Sequence, residues 1–170
     1  MPDTSFKLRD LYNSPAPIYG TLADPFLVKS PASWAAYNEF GDQGESGGKT
    51  DALRHLLGAA TLTRRHGPEY ATRVLNWHEN PNVFQFLGGG YGQLPGDRQM
   101  DLHNNTIGMH IGTVAKDYDE AMRMAKQYMK EGRVMTSPPN VPEAAKPAQR
   151  DYIDEMGSAG VDLIRRMFSK

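Results

Sequence analysis

QMDLHNNTIGMHIG, Gln99 to Gly112, is the stretch that decides the fold. Leu102, Ile107 and Ile111, with Val114 just beyond, recur at helical spacing, yet two asparagines and two glycines share the same helix. Each costs up to about 1 kcal/mol against alanine in a helix interior. Such residues are tolerated where the helix has a second face with a different task. Asp101, Asn104, Asn105 and Gly108 form that face, with Gly112 one turn further on. Glycines there let another backbone approach closely, and asparagines face polar groups instead of an oily core.

Four more helical patterns surround this one. TDALRHLLGAATLTRRHG, from Thr50, repeats Leu53, Leu56, Leu57, Ala60 and Leu62 on one side and ends at Gly67. Pro68 opens PEYATRVLNWHE at the first helical position, with Ala71, Val74, Leu75 and His78 inside. DYDEAMRMAKQYMKEG places Met122, Ala125 and Met129 inward and stops at Gly132, and AQRDYIDEMGSAGVDLIRRMF makes a last amphipathic helix. The expected fold is all-α: about five helices in a compact bundle, with a long N-terminal arm and a Gly-rich loop insertion at Asn80 to Asp97. Residues 1–49, with Pro15, Pro17, Pro25, Pro31 and the run GDQGESGGK, are expected as an extended wrapping arm with one short helix. Residues 50–134 form the helical core, and residues 135–170 a Pro-rich linker and the C-terminal helix, within one domain overall.

Composition narrows the class of function. A chain of 170 residues with 39% hydrophobic and 23% charged residues suits one ordinary globular domain. Lys+Arg 19 against Asp+Glu 20 leaves a net charge of -1 and no basic field for nucleic acid. The absence of cysteine excludes disulfides and thiolate metal sites. No run is long enough to span a bilayer, and MPDTSFKLRDLYNSPAP lacks the apolar core of a signal peptide. Synthesis in the cytoplasm is expected, with any delivery left to a virion, cell lysis or a secretion machine as partner.

Polar residues of three helices can meet at one place. Asp51 and His55 are four apart on one face, His78 and Glu79 stand at a helix end before the glycine loop, and Asp101 and Asn105 are four apart on the third helix. A carboxylate at a helix end beside Trp77 and a glycine loop is open to desolvation, which raises its pKa toward the general-acid range. Each residue also has a plainer role. His55 alone is a hydrogen-bonded core histidine, Asp51 a first-turn residue favoured by the helix dipole, and Asn104–Asn105 a cap or a partner for loop carbonyls. His66 and His110 are packing or surface residues.

DALRH, then HE, then MDLHNNTIG resembles a family of small uncharacterised bacterial and phage domains, whose pattern is Asn/Asp-Ala-x-Arg-His, His-Glu and Met-Asp-Leu-His-Asn-Asn-x-x-Gly. Its members stand alone or form C-terminal modules of secreted, toxin-like proteins. The resemblance runs from Asp51 to Gly112 and implies a shared site at Asp51, Arg54, His55, His78, Glu79, Asp101, His103, Asn104, Asn105 and Gly108, without naming its chemistry.

The leading expectation is a hydrolase of the bacterial cell envelope, acting on peptidoglycan as a muramidase or lytic transglycosylase does. That chemistry needs a protonated carboxylic acid beside a groove. ENPNVFQFLGGGYGQLP resembles the transglycosylase-like lysozymes in its glutamate, glycine loop and Gln-Leu-Pro ending, and departs from them in shorter spacing and in Asn80 where serine stands. Glu79 is then the general acid and Asp101 or Asn105 positions water, with His55 completing the catalytic set. Arg54, His78, Asn104, Tyr91 and Phe86 bind substrate, Phe84 adding to the sugar groove. A metal-dependent hydrolase is the second alternative, with His55, His78, Asp101 and His103 as candidate ligands and Glu79 as base. Against it, HExxH is absent, and Asp101 and His103 diverge on a helix. The cofactor is accordingly none, or one divalent ion. A ββα-metal nuclease needs a hairpin before HNNTIGMH and a basic chain, and neither is read here. The first alternative, ranked close behind the leading expectation, is an assembly protein, for example a virion component, in which the same network is a buried scaffold.

Overall fold

The structure is a computed structural model and describes residues 5–13, 24–44, 47–79 and 95–140. Six helices lie among them and no strand: α1 Ser5–Asn13, α2 Asp24–Phe40, α3 Lys49–His66, α4 Pro68–His78, α5 Pro95–Val114 and α6 Tyr118–Lys130. The all-α expectation holds. Residues 80–94 of the expected glycine loop and the C-terminal helix lie outside the described residues, while residues 95–97, expected in that loop, form the first turn of α5.

α3 is the axis on which the others pack. Ala52, Leu53, Leu56, Leu57, Ala59, Ala60 and Leu62 are all buried, and so are the polar Thr50, Asp51, His55, Thr61, Thr63 and Arg65, so this helix is enclosed on nearly every side. Gly67 has φ 84° and donates its N–H to Thr63 O at 2.8 Å, which ends α3 so that Pro68 can open α4. α5 crosses α3 along its two glycines. A Cβ on Gly108 would lie 2.5 Å from Leu56 O, and one on Gly112 would lie 2.3 Å from Ala60 O. The glycines of the opening stretch therefore set the separation of the two helices that carry most of the polar site.

The N-terminal region departs from the extended arm expected for residues 1–49. It contains α1 and the 17-residue α2, which has Pro31 inside it. Proline within a helix costs about 3 kcal/mol. Val28, Ala32, Ala35 and Ala36 are buried at helical spacing on the other side of that balance, with Val28 and Ala32 meeting α3 at Gly58. α1 closes the far side: Leu8 and Tyr12 are buried, and the Tyr12 ring meets Tyr118 edge to face at 6.3 Å. Asp117 caps α6 by accepting from Glu120 N at 2.8 Å. Val114, expected in the apolar stripe of α5, is 51% exposed because the helix ends there, beyond its crossing with α3.

Candidate functional site

The site forms where the first turns of α3, the end of α4 and the first half of α5 converge. Asp51 and His55 lie one turn apart on α3, Asp101 and Asn105 one turn apart on α5, and Glu79 follows the last residue of α4. All five side chains are buried. Arg54, 23% exposed, is the member nearest solvent.

Each group is held by a second one. Asp51 accepts Gly47 N at 2.8 Å and pairs with Arg54, while its own N–H reaches Gly44 O at 3.1 Å, so the loop before α3 is wound on this residue. Arg98 Nε donates to Glu79 O at 2.9 Å and fixes the end of α4. Asn105 Nδ2 donates to Glu79 Oε1 at 3.2 Å, and its Oδ1 lies 3.0 Å from His55 Nδ1. A carboxylate only accepts, so the amide nitrogen faces Glu79, the amide oxygen faces the ring, and Nδ1 of His55 carries the proton. Nε2 of that ring then points at Asp51 Oδ1, 3.4 Å away, and at Asp101 Oδ1, 3.3 Å away, with Arg54 Nη2 at 2.9 Å.

Burial and crowding set the ionisation. Burial alone would raise the Asp51 pKa, but the hydrogen bond with His55, the Arg54 charge and the Gly47 N–H outweigh it and hold the carboxyl at about 2. Asp101 is pushed up to about 7, first by burial and then by the charges of Glu79 and Asp51, against the pull of His55 and Arg54. For His55, burial opposes the charged form, but Asp51, Asp101 and Glu79 together raise its pKa above the ordinary value. When the ring is charged, Nε2–H turns to the aspartates and Arg54 keeps Asp51 alone. When the ring is neutral, Nε2 accepts from Arg54. His78, 6.5 Å from His55 between ring centroids, is lowered to about 4, chiefly by burial, and stays neutral at pH 7.

Of the expected residues, His55, Glu79, Asp101 and Asn105 meet, with Arg54 and His78 beside them. Asn104 does not join them. Its amide clamps the chain after α6, donating to Met135 O at 2.8 Å and accepting Met135 N at 3.0 Å, because adjacent residues on a helix point about 100° apart. His103 faces outward and bonds Arg133 O at 2.9 Å, which removes it from the candidate ligands. Phe84, Phe86 and Tyr91 lie outside the described residues. Asp51 is the member the ligand reading lacked. Among the described residues Asp51, His55 and Asp101 bring one donor atom each within 4.8 Å of the others, a set that suits a divalent ion. His78 is not among those donors. Asp97, in the first turn of α5, has its pKa raised by partial burial and by Asp51.

Among known proteins, a family model described as a domain of unknown function (DUF6973) matches residues 22–133, from α2 through the end of α6. No curated protein and no solved structure matches the chain.

Proposed function

The chain belongs to the DUF6973 family, whose match encloses every residue of the site just described, and we propose that it is a hydrolase of the bacterial cell envelope with peptidoglycan as its polymer. The observation that carries this reading is the chain Glu79–Asn105–His55, which aims His55 Nε2 at the gap between Asp51 and Asp101. A water in that gap meets two carboxylates and a ring nitrogen, the groups that polarise it and take its proton. Glu79 orients the ring from the far side. The envelope as substrate is supported by the resemblance of the run from Glu79 to Pro95 to transglycosylase-like lysozymes, and by the phage and toxin-like setting that the resemblance carried by DALRH, HE and MDLHNN implies.

Purified peptidoglycan incubated with wild type and Glu79→Gln tests this, with soluble fragments and thermal melts as readouts. Fragment release by wild type and its loss in a variant that melts normally is the expected result. A second reading, an assembly protein with a polar scaffold, is favoured by the burial of all five side chains. It predicts no release by wild type and a marked fall in the melting temperature of the variant.

A further inference from the structure

We propose that Asp51, His55 Nε2 and Asp101 form a binding site for one divalent cation. Donors bonded to one ion at about 2.0–2.2 Å stand roughly 3–3.5 Å apart. His55 Nε2 lies 3.4 Å from Asp51 Oδ1 and 3.3 Å from Asp101 Oδ1, and all three donor atoms lie within 4.8 Å of one another. Small movements of the side chains bring them onto one ion, and three protein donors leave further positions for water.

The other ring nitrogen supplies independent support. A metal-bound histidine needs its second N–H held by an acceptor, which fixes the tautomer and the ring plane. Asn105 Oδ1 takes that hydrogen at 3.0 Å, and Glu79 in turn holds Asn105 at 3.2 Å. This pair points the Nε2 lone pair at the two aspartates. Charge agrees with geometry. Among the described residues three buried acidic side chains, Asp51, Glu79 and Asp101, lie around His55 while Arg54 pairs with Asp51, and a cation suits such a cluster. The Arg54 guanidinium shares Asp51 Oδ1 and His55 Nε2 with the proposed ion, and its partial exposure lets it swing outward as the ion enters.

The cation site stands on geometry alone; only its bearing on chemistry rests on the hydrolase reading, where the ion would lower the pKa of a bound water. The test is isothermal titration of the full chain, stripped with chelator, using ZnCl2 and MnCl2 separately, for wild type, Asp101→Asn, Asp51→Asn and Asn105→Ala. Circular dichroism checks the fold of each. Saturable binding of at least one of these ions, one per chain, is expected, weakened by about 10–100-fold in Asn105→Ala and more in the aspartate variants. If Asp51→Asn fails to fold because its loop is wound on that carboxylate, Asp101→Asn decides. No binding by folded wild type, or undiminished binding in Asp101→Asn, overturns the proposal. Binding without hydrolysis removes the hydrolase reading and leaves the cation site, and hydrolysis by a protein that binds neither ion does the reverse.

Discussion

Asn105 Oδ1 accepts from His55 Nδ1 at 3.0 Å, across the α3–α5 crossing, and this one contact fixes which ring nitrogen faces the aspartates. Removing it takes the acceptor from the buried His55 N–H and one donor from Glu79 Oε1. Asn105→Ala is expected to lower unfolding free energy by about 1–3 kcal/mol, the usual cost of one buried group left unsatisfied. Urea unfolding measures it, and a loss below about 0.5 kcal/mol would mean that water replaces the amide without penalty.

The α3–α5 separation is set by Gly108 and Gly112, where an added Cβ would meet the backbone oxygens of Leu56 and Ala60. Alanine there gains up to about 1 kcal/mol in helix propensity. Forcing two packed helices apart costs typically about 1–3 kcal/mol. Gly108→Ala and Gly112→Ala are therefore expected to destabilise, which the shift of the urea midpoint reads. Stabilisation by either substitution would show that the crossing is looser than described.

Tyr12 gives a pH-dependent prediction far from the site. Its hydroxyl is pushed up to about 12, mainly by burial, with Arg64 opposing and Asp117 and Glu120 adding. A pKa raised on folding means that the neutral phenol stabilises the fold fully below the ordinary value of 10.0, and that this contribution disappears as pH climbs toward 12. Wild type should lose stability between those limits more steeply than Tyr12→Phe. Equal slopes in urea midpoints measured across that range would place the alkaline loss on other groups.

Much of this was legible in the chain because helix periodicity and capping are local. α3, α4, α5 and α6 follow from leucine and alanine spacing, Pro68 and the terminating glycines. The meeting of His55, Glu79, Asp101 and Asn105 follows from polar residues spaced four apart on otherwise apolar helices. What escaped depends on tertiary contact. Pro31 reads as a helix breaker until Val28, Ala32, Ala35 and Ala36 are seen buried around it. Asn104 and Asn105 are chemically identical neighbours, and only the placement of Met135 tells the clamp from the site residue. Asp51 looks like a helix-dipole residue, and its role emerges when Asp101 arrives from another helix. The spacing of Asp51 and His55 was the available signal.

Under the proposed function this buried cluster is kept for chemistry at some expense to stability. Asp101→Asn tests it most directly, because asparagine keeps the shape and removes one of three crowded carboxylates. The measurement is peptidoglycan fragment release beside a thermal melt, the melts being run on chelator-treated protein. The predicted result is release falling at least 100-fold, on the order of what a positioned acid or base contributes, with a melting temperature unchanged or raised. Retained release by Asp101→Asn, or no release by wild type together with a melting temperature that falls by several degrees in the variant, would contradict it and make the cluster a scaffold.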